Sequence, residues 1–198
     1  MKQLLWALAA LAALIWGWKE YFREIPHLEQ PGVLKNFQVE ERDDFSGHFT
    51  VLDKRFYGPA RRVLYATSPW VGAFNDLAYL SNMDVLLGQG RLAYASIYRQ
   101  IDFDQHSRCY EFKIQPQSGL QADTVRADSM NISVVAANER IAKQLRQLKT
   151  GQQVQLQGKY AHVMQLKTQQ HFVVGMNIPR PRPQCAIVKI TSIQRLSG

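Results

Sequence analysis

Leu4 to Trp18 reads LLWALAALAALIWGW, fifteen residues without a charge. Lys2 precedes the run, and Lys19, Glu20, Arg23 and Glu24 follow it. A spanning helix needs about 20 apolar residues, with roughly 17 tolerated. Leu4 to Phe22 comes close once the Lys19 side chain snorkels toward water. Trp16, Trp18 and Tyr21 suit the aromatic belt of a membrane interface. The pattern predicts an uncleaved signal anchor, a transmembrane helix over residues 1–24. A cleaved signal peptide is an alternative, although no Ala-x-Ala closes the run; a buried core helix is another. The cation ahead of the run places the rest of the chain outside the cytoplasm. In a Gram-negative bacterium that means a single-pass inner-membrane protein with a periplasmic main domain.

After the anchor the pattern changes. Pro26, Pro31 and Gly32 interrupt helix and strand alike, so residues 25–36 read as a stalk linker. Residues 37–198 read as one β-rich domain. Phe37 to Tyr57 alternates weakly, with strand character at Phe49–Leu52 and at Phe56 and Tyr57. Residues 66–90 hold Pro69, Gly72, Asn75, Gly88 and Gly90 and read as loop, with one short helix near Asn75–Leu80. Leu92, Tyr94, Ser96 and Tyr98 alternate, as do Tyr110, Phe112 and Ile114. With the polar stretch Asp102–Ser107 between them, they predict a hairpin.

The C-terminal half is more regular. Met130 to Ala136 is an apolar strand candidate. Asn138 is placed to cap a helix running to Leu148, with Ile141, Leu145 and Leu148 on one face and Gly151 just past its end. Val154, Leu156, Gly158 and Tyr160 alternate as a strand, and Gly158 would permit a tight barrel corner. Phe172–Ile178 and Ala186–Ile193 give two more strands. The expected fold is mainly β with one or two helices, an OB-like small barrel, preceded by the transmembrane helix. An open α+β sheet or another small barrel competes with it.

The stretch Met130-Asn131-Ile-Ser-Val-Val135-Ala-Ala-Asn138-Glu-Arg-Ile141, followed by Leu145 and by Leu148 to Gly158, resembles an uncharacterised family of single-pass membrane-anchored proteobacterial proteins. Leu87-Gly88-Gln89-Gly90-Arg91 and the closing Cys185-Ala-Ile-Val-Lys189 are similar to that family as well. The resemblance spans roughly residues 75–195 and departs at Arg180-Pro-Arg-Pro183. It implies an extracytoplasmic OB-like domain and carries no reaction chemistry.

Composition sharpens the partner class. The 198 residues carry a net charge of +8. Residues 1–24 hold three cations against two anions, so +7 remains on the domain. That balance favours anionic partners, or serves solubility. Arg140, Lys143, Arg146 and Lys149 recur every third residue along the predicted helix, broadly opposite its apolar face. Arg180 and Arg182 alternate with prolines that hold an extended loop, and Lys189 adds to that patch. Lys54 and Arg55 adjoin Phe56 and Tyr57, with Arg61 and Arg62 beyond. Arg140, Lys143, Arg146, Arg180 and Arg182 are therefore the candidate partner-binding residues.

Catalytic signatures are sparse. His27, His48, His106, His162 and His171 show no zinc spacing, and no metal site or cofactor is expected. His162 and His171 could meet across adjacent strands. Asp43 and Asp44 point to opposite faces if they lie in a strand, and Asp102 and Asp104 fall in the predicted turn. No nucleophile elbow or phosphate-binding loop occurs, and Gly88-Gln-Gly90 reads as a tight turn. Cys109 and Cys185, 76 positions apart, are a disulfide candidate in an oxidising compartment; two buried thiols are the other reading. The function expected is a membrane-tethered extracytoplasmic binding module for an envelope protein, a glycan or an anionic membrane surface. A nucleic-acid binder using Tyr94 and Tyr98 is one alternative, and an envelope enzyme around Asp102, Asp104 and His106 is another.

Overall fold

A computed structural model describes residues 2–21, 24–58, 77–172, 174 and 184–196. The first helix, α1, spans Lys2–Tyr21. Its described side chains, Leu4 and residues 6–15, are all exposed, with Leu4 at 67%, Trp6 at 77% and Leu14 at 71%. Among the described residues no helix is long and apolar enough to cross a membrane.

The remainder is mainly β. The strands are β1 (Phe37–Phe56), β2 (Met83–Gly88), β3 (Ile101–His106), β4 (Cys109–Ile114), β5 (Ser129–Ala136), β6 (Gln153–Gln165), β7 (Gln170–His171) and β8 (Cys185–Arg195). Three short helices accompany them: α2 (Ala95–Tyr98), α3 (Ala122–Asp128) and α4 (Glu139–Arg146). The main sheet runs β1-β2-β5-β8-β6-β7, and β1 also pairs with β6. All these pairings are antiparallel except β5–β8. The 20-residue β1 serves both ends of the sheet, pairing β6 from Phe37 to Thr50 and β2 from Thr50 to Phe56. Irregular register at Glu41/Asp44 and Val51/Asp53 lets it bend, since a bulge raises local twist. The sheet thereby curls round and closes in part.

Strand alternation sorts the side chains. Val85 and Leu87 of β2, Ile132 and Val134 of β5, Val154 and Leu156 of β6, and Val188 and Ile190 of β8 share the inner core. Helix α4 packs on this core and buries Ile141, Ala142 and Leu145 in it. Asn138 caps it, its Oδ1 accepting the Ile141 N–H at 3.0 Å. Leu86 faces outward under the β3–β4 hairpin, in a second core with Leu52, Leu92, Cys109, Tyr110 and Val125. Val135 and Ile187 face a third core with Phe37, Leu77, Leu80 and Val163.

Several expectations are corrected. Residues 91–98 form no strand; a 3-10 turn (Gly90–Ala93) and α2 replace it. Local bonds hold that segment, and Asp128 accepts the Arg91 N–H at 3.0 Å and the Gln89 N–H at 2.8 Å. The hairpin is β3–β4, turning at Ser107 and Arg108, both at positive φ. Asp102 and Asp104 therefore lie in a strand, not a turn. Met83–Gly88, read as loop, is a buried strand between β1 and β5. Leu77 alone is helical in the described part of 75–80. Phe172 follows the two-residue β7, and most of the strand expected over 172–178 lies outside the described residues. Segment 25–36 is packed on the domain rather than free: Ile25 is 5% exposed in the inner core, and the Leu28 N–H donates to the Ala136 carbonyl at 3.0 Å.

Candidate functional site

Burial of one face of α4 leaves its cations outside. Arg140 and Lys143 are exposed and Arg146 is half-buried. Lys143 Nζ lies 2.6 Å from Glu139 Oε1, one helical turn back. That hydrogen bond, with the charge behind it, holds the Glu139 carboxyl below its ordinary range. Between α4 and the segment anchored by Ile25 lies a cavity of about 220 Å³. Glu24, His27 and Gln30 line one wall, and Lys143 and Arg146 line the other. His27 Nδ1 is buried there with no hydrogen-bond partner. The groove thus offers two cations beside two carboxylates, with the half-buried His27 in its wall. Such a set suits an anionic group that competes with Glu139 for Lys143, because an exposed ion pair is weak.

Of the five candidate binding residues, the structure brings Lys143 and Arg146 together on the groove wall and Arg140 onto the same short helix. Arg180 and Arg182 lie outside the described residues, as do Arg61 and Arg62. Lys189 is engaged elsewhere, 2.5 Å from Glu41 Oε1.

The other cationic patch is tied to its own chain. Lys54 sits 5.7 Å from the Phe56 ring and Arg55 6.0 Å from the Tyr57 ring. Arg55 also donates to the Gln105 carbonyl and pairs with Asp104 at 3.6 Å. Tyr94 is 67% exposed, while Tyr98 packs against the second core.

A second polar cluster lies under the hairpin. Arg108 Nη1 donates to Asp84 Oδ1 at 3.0 Å, and neither side chain is exposed. Ser133 Oγ donates to the same oxygen at 2.7 Å, and Asn131 Nδ2 to Asp84 Oδ2 at 3.0 Å. Gln105 Nε2 donates to Asn131 Oδ1 at 2.7 Å. The Arg108 guanidinium stacks 3.9 Å from the centre of the Tyr57 ring. Burial, reinforced by the Asp84 charge, pushes the Tyr57 hydroxyl far above its ordinary range. Asp84, Arg108, Asn131 and Ser133 have no solvent exposure, and their bonds tie the hairpin turn to β2 and β5. Asp84 and Arg108 escaped the sequence reading. The available signal was a carboxylate inside the apolar run Met83–Leu87, since a buried charge requires a partner.

The possible catalytic groups do not converge. Asp102, Asp104 and His106 share a face of β3 by alternation, but that face is open: both aspartates are exposed and His106 pairs with Glu111 at 3.5 Å. Asp44 pairs with Lys159 at 3.0 Å. His171 lies opposite Met164 rather than His162. Among the described residues no group of three or more His, Cys, Asp or Glu could hold a metal. Cys109 of β4 and Cys185 of β8 are joined as a disulfide, their Cα atoms 5.3 Å apart.

Comparison with known proteins finds no family model, no curated relative and no solved structure that matches this chain.

Proposed function

We propose that this protein is a membrane-tethered extracytoplasmic binding module whose OB-like barrel presents the cationic face of α4 to an anionic partner. The observation that carries the tether is α1, whose described side chains are exposed over Leu4 and 6–15. Soluble monomers rarely leave so large an apolar surface in water, and Leu4 to Trp18 contains no charge. The Cys109–Cys185 disulfide favours an oxidising compartment. The OB-like reading draws on five strands that close in part through β1, with α4 between β5 and β6, the plan of a small Greek-key barrel.

The test is topology. Alkaline phosphatase joined after Gly198 should be active in cells, the same fusion to a cytoplasm-active reporter should be silent, and Cys109 and Cys185 should resist alkylation until reduced. A silent phosphatase with freely alkylated cysteines would reverse the orientation and remove the extracytoplasmic reading.

A further inference from the structure

We infer that the α4 face is a lipid-docking surface: Arg140, Lys143 and Arg146 seat anionic headgroups of the membrane that holds α1. The inference rests on the tethered reading above and names the partner of that site.

Chain connectivity provides the first argument. Helix α1 ends at Tyr21 and Glu24 already lines the groove. Three residues span at most about 11 Å, so the end of α1 lies no farther than that from Glu24. Ile25 then fixes the segment in the inner core beside Ile141, Ala142 and Leu145. The part of the core covered by α4 is therefore held near the point where the chain leaves the anchor.

The second argument is charge and range. The Debye length is about 10 Å at 0.1 M salt, so charges held within that distance of an anionic leaflet feel its surface potential. A basic residue near such a surface favours partition roughly fivefold, so three acting together favour it roughly a hundredfold. Arg140 and Arg146 have no ion-pair partner among the described residues, and Lys143 has only the exposed Glu139. A headgroup phosphate replaces that carboxylate at little cost, and the groove beside it accommodates the phosphate next to His27.

The experiment uses the full chain in nanodiscs of phosphatidylcholine, with and without phosphatidylglycerol. Acylation of Lys143 by a water-soluble amine reagent is followed by mass spectrometry, with Lys113 of β4 as reference. Lys143 should react at least about threefold more slowly on the anionic discs, Lys113 should not change, and about 1 M salt should erase the difference. The surface variant R140Q/R146Q should likewise erase most of it. Equal Lys143 rates on both discs, with α1 protected from protease, would overturn the docking inference and leave the tether standing. Undiminished protection in R140Q/R146Q would also overturn it. A chain that fails to co-purify with either disc would remove the tether, and the docking inference with it.

Discussion

At the scale of single residues, the decisive choice is Arg108. It occupies a hairpin-turn position with φ of +60°, next to Ser107 at +50°. Two-residue turns of this hand favour Asn-Gly, because an L side chain is strained at positive φ by about 1–2 kcal/mol. The strain is offset where the guanidinium lands, on Asp84 and over the Tyr57 ring. Asp84 in turn gathers Ser133 and Asn131 from the neighbouring strand. Arg108→Met should therefore cost about 3–5 kcal/mol, since it leaves a carboxylate buried without its cation. Guanidinium denaturation of the variant reads this directly. Adding Asp84→Leu should restore only part of the loss, because Ser133 and Asn131 then lack an acceptor. A loss below about 1 kcal/mol in Arg108→Met would mean that the pair does not hold the hairpin.

Among the elements, β6 carries the tightest backbone contact, and it is paired along its length with β1 and, in part, with β8. Gly158 stands opposite Phe45 of β1 and Ile190 of β8, where the β6–β8 register shifts. A Cβ there would run into the Lys189 carbonyl and come within 3.1 Å of Ile190 Cα. Both obstacles are backbone, held by the sheet, so they cannot swing away as a side chain would. Gly158→Ala should cost about 1–3 kcal/mol, measured by thermal or chemical unfolding; an unchanged midpoint would show that the β6–β8 crossing can open freely. The alternation through Val154, Leu156, Gly158 and Tyr160 made this strand legible, and the Asn138 cap with Ile141 and Leu145 did the same for α4. Both elements have one buried and one wet face, which is the condition that writes a period into a sequence. Strand β2 lacks that condition. It is buried on both faces, so its apolar run carries no alternation, and Asp84 disguises it further. Residues 91–98 erred the other way. Leu92, Tyr94, Ser96 and Tyr98 keep period two by composition, yet their backbone is satisfied by helical turns and by Asp128. The cationic face of α4 was legible from its spacing, but the groove was not, because His27 and Glu24 join it only through the burial of Ile25.

For the whole molecule, the question is what holds the hairpin to the curved main sheet. Several bonds do so: the apolar contacts around Leu86 and Tyr110, the Asp84–Arg108 pair with the Gln105–Asn131 and Arg55–Gln105 hydrogen bonds beside it, and the Cys109–Cys185 disulfide. All but the disulfide act in the folded state. The disulfide acts largely on the unfolded chain, where it closes a loop of 76 positions; in the chain-entropy model that contributes roughly 4 kcal/mol. Domains are stable by only about 5–15 kcal/mol in total, so reduction removes a large share without deleting any of the noncovalent contacts. The fold should therefore survive reduction with a lowered guanidinium midpoint. The denaturant slope should rise, because the uncrosslinked chain exposes more surface when it unfolds. Cys109→Ala/Cys185→Ala should reproduce both changes without reductant. A midpoint unaffected by reductant and by the double variant would show that the crosslink carries no stability. The main sheet and hairpin would then be equally stable in a reducing compartment, and the disulfide would cease to favour a location outside the cytoplasm.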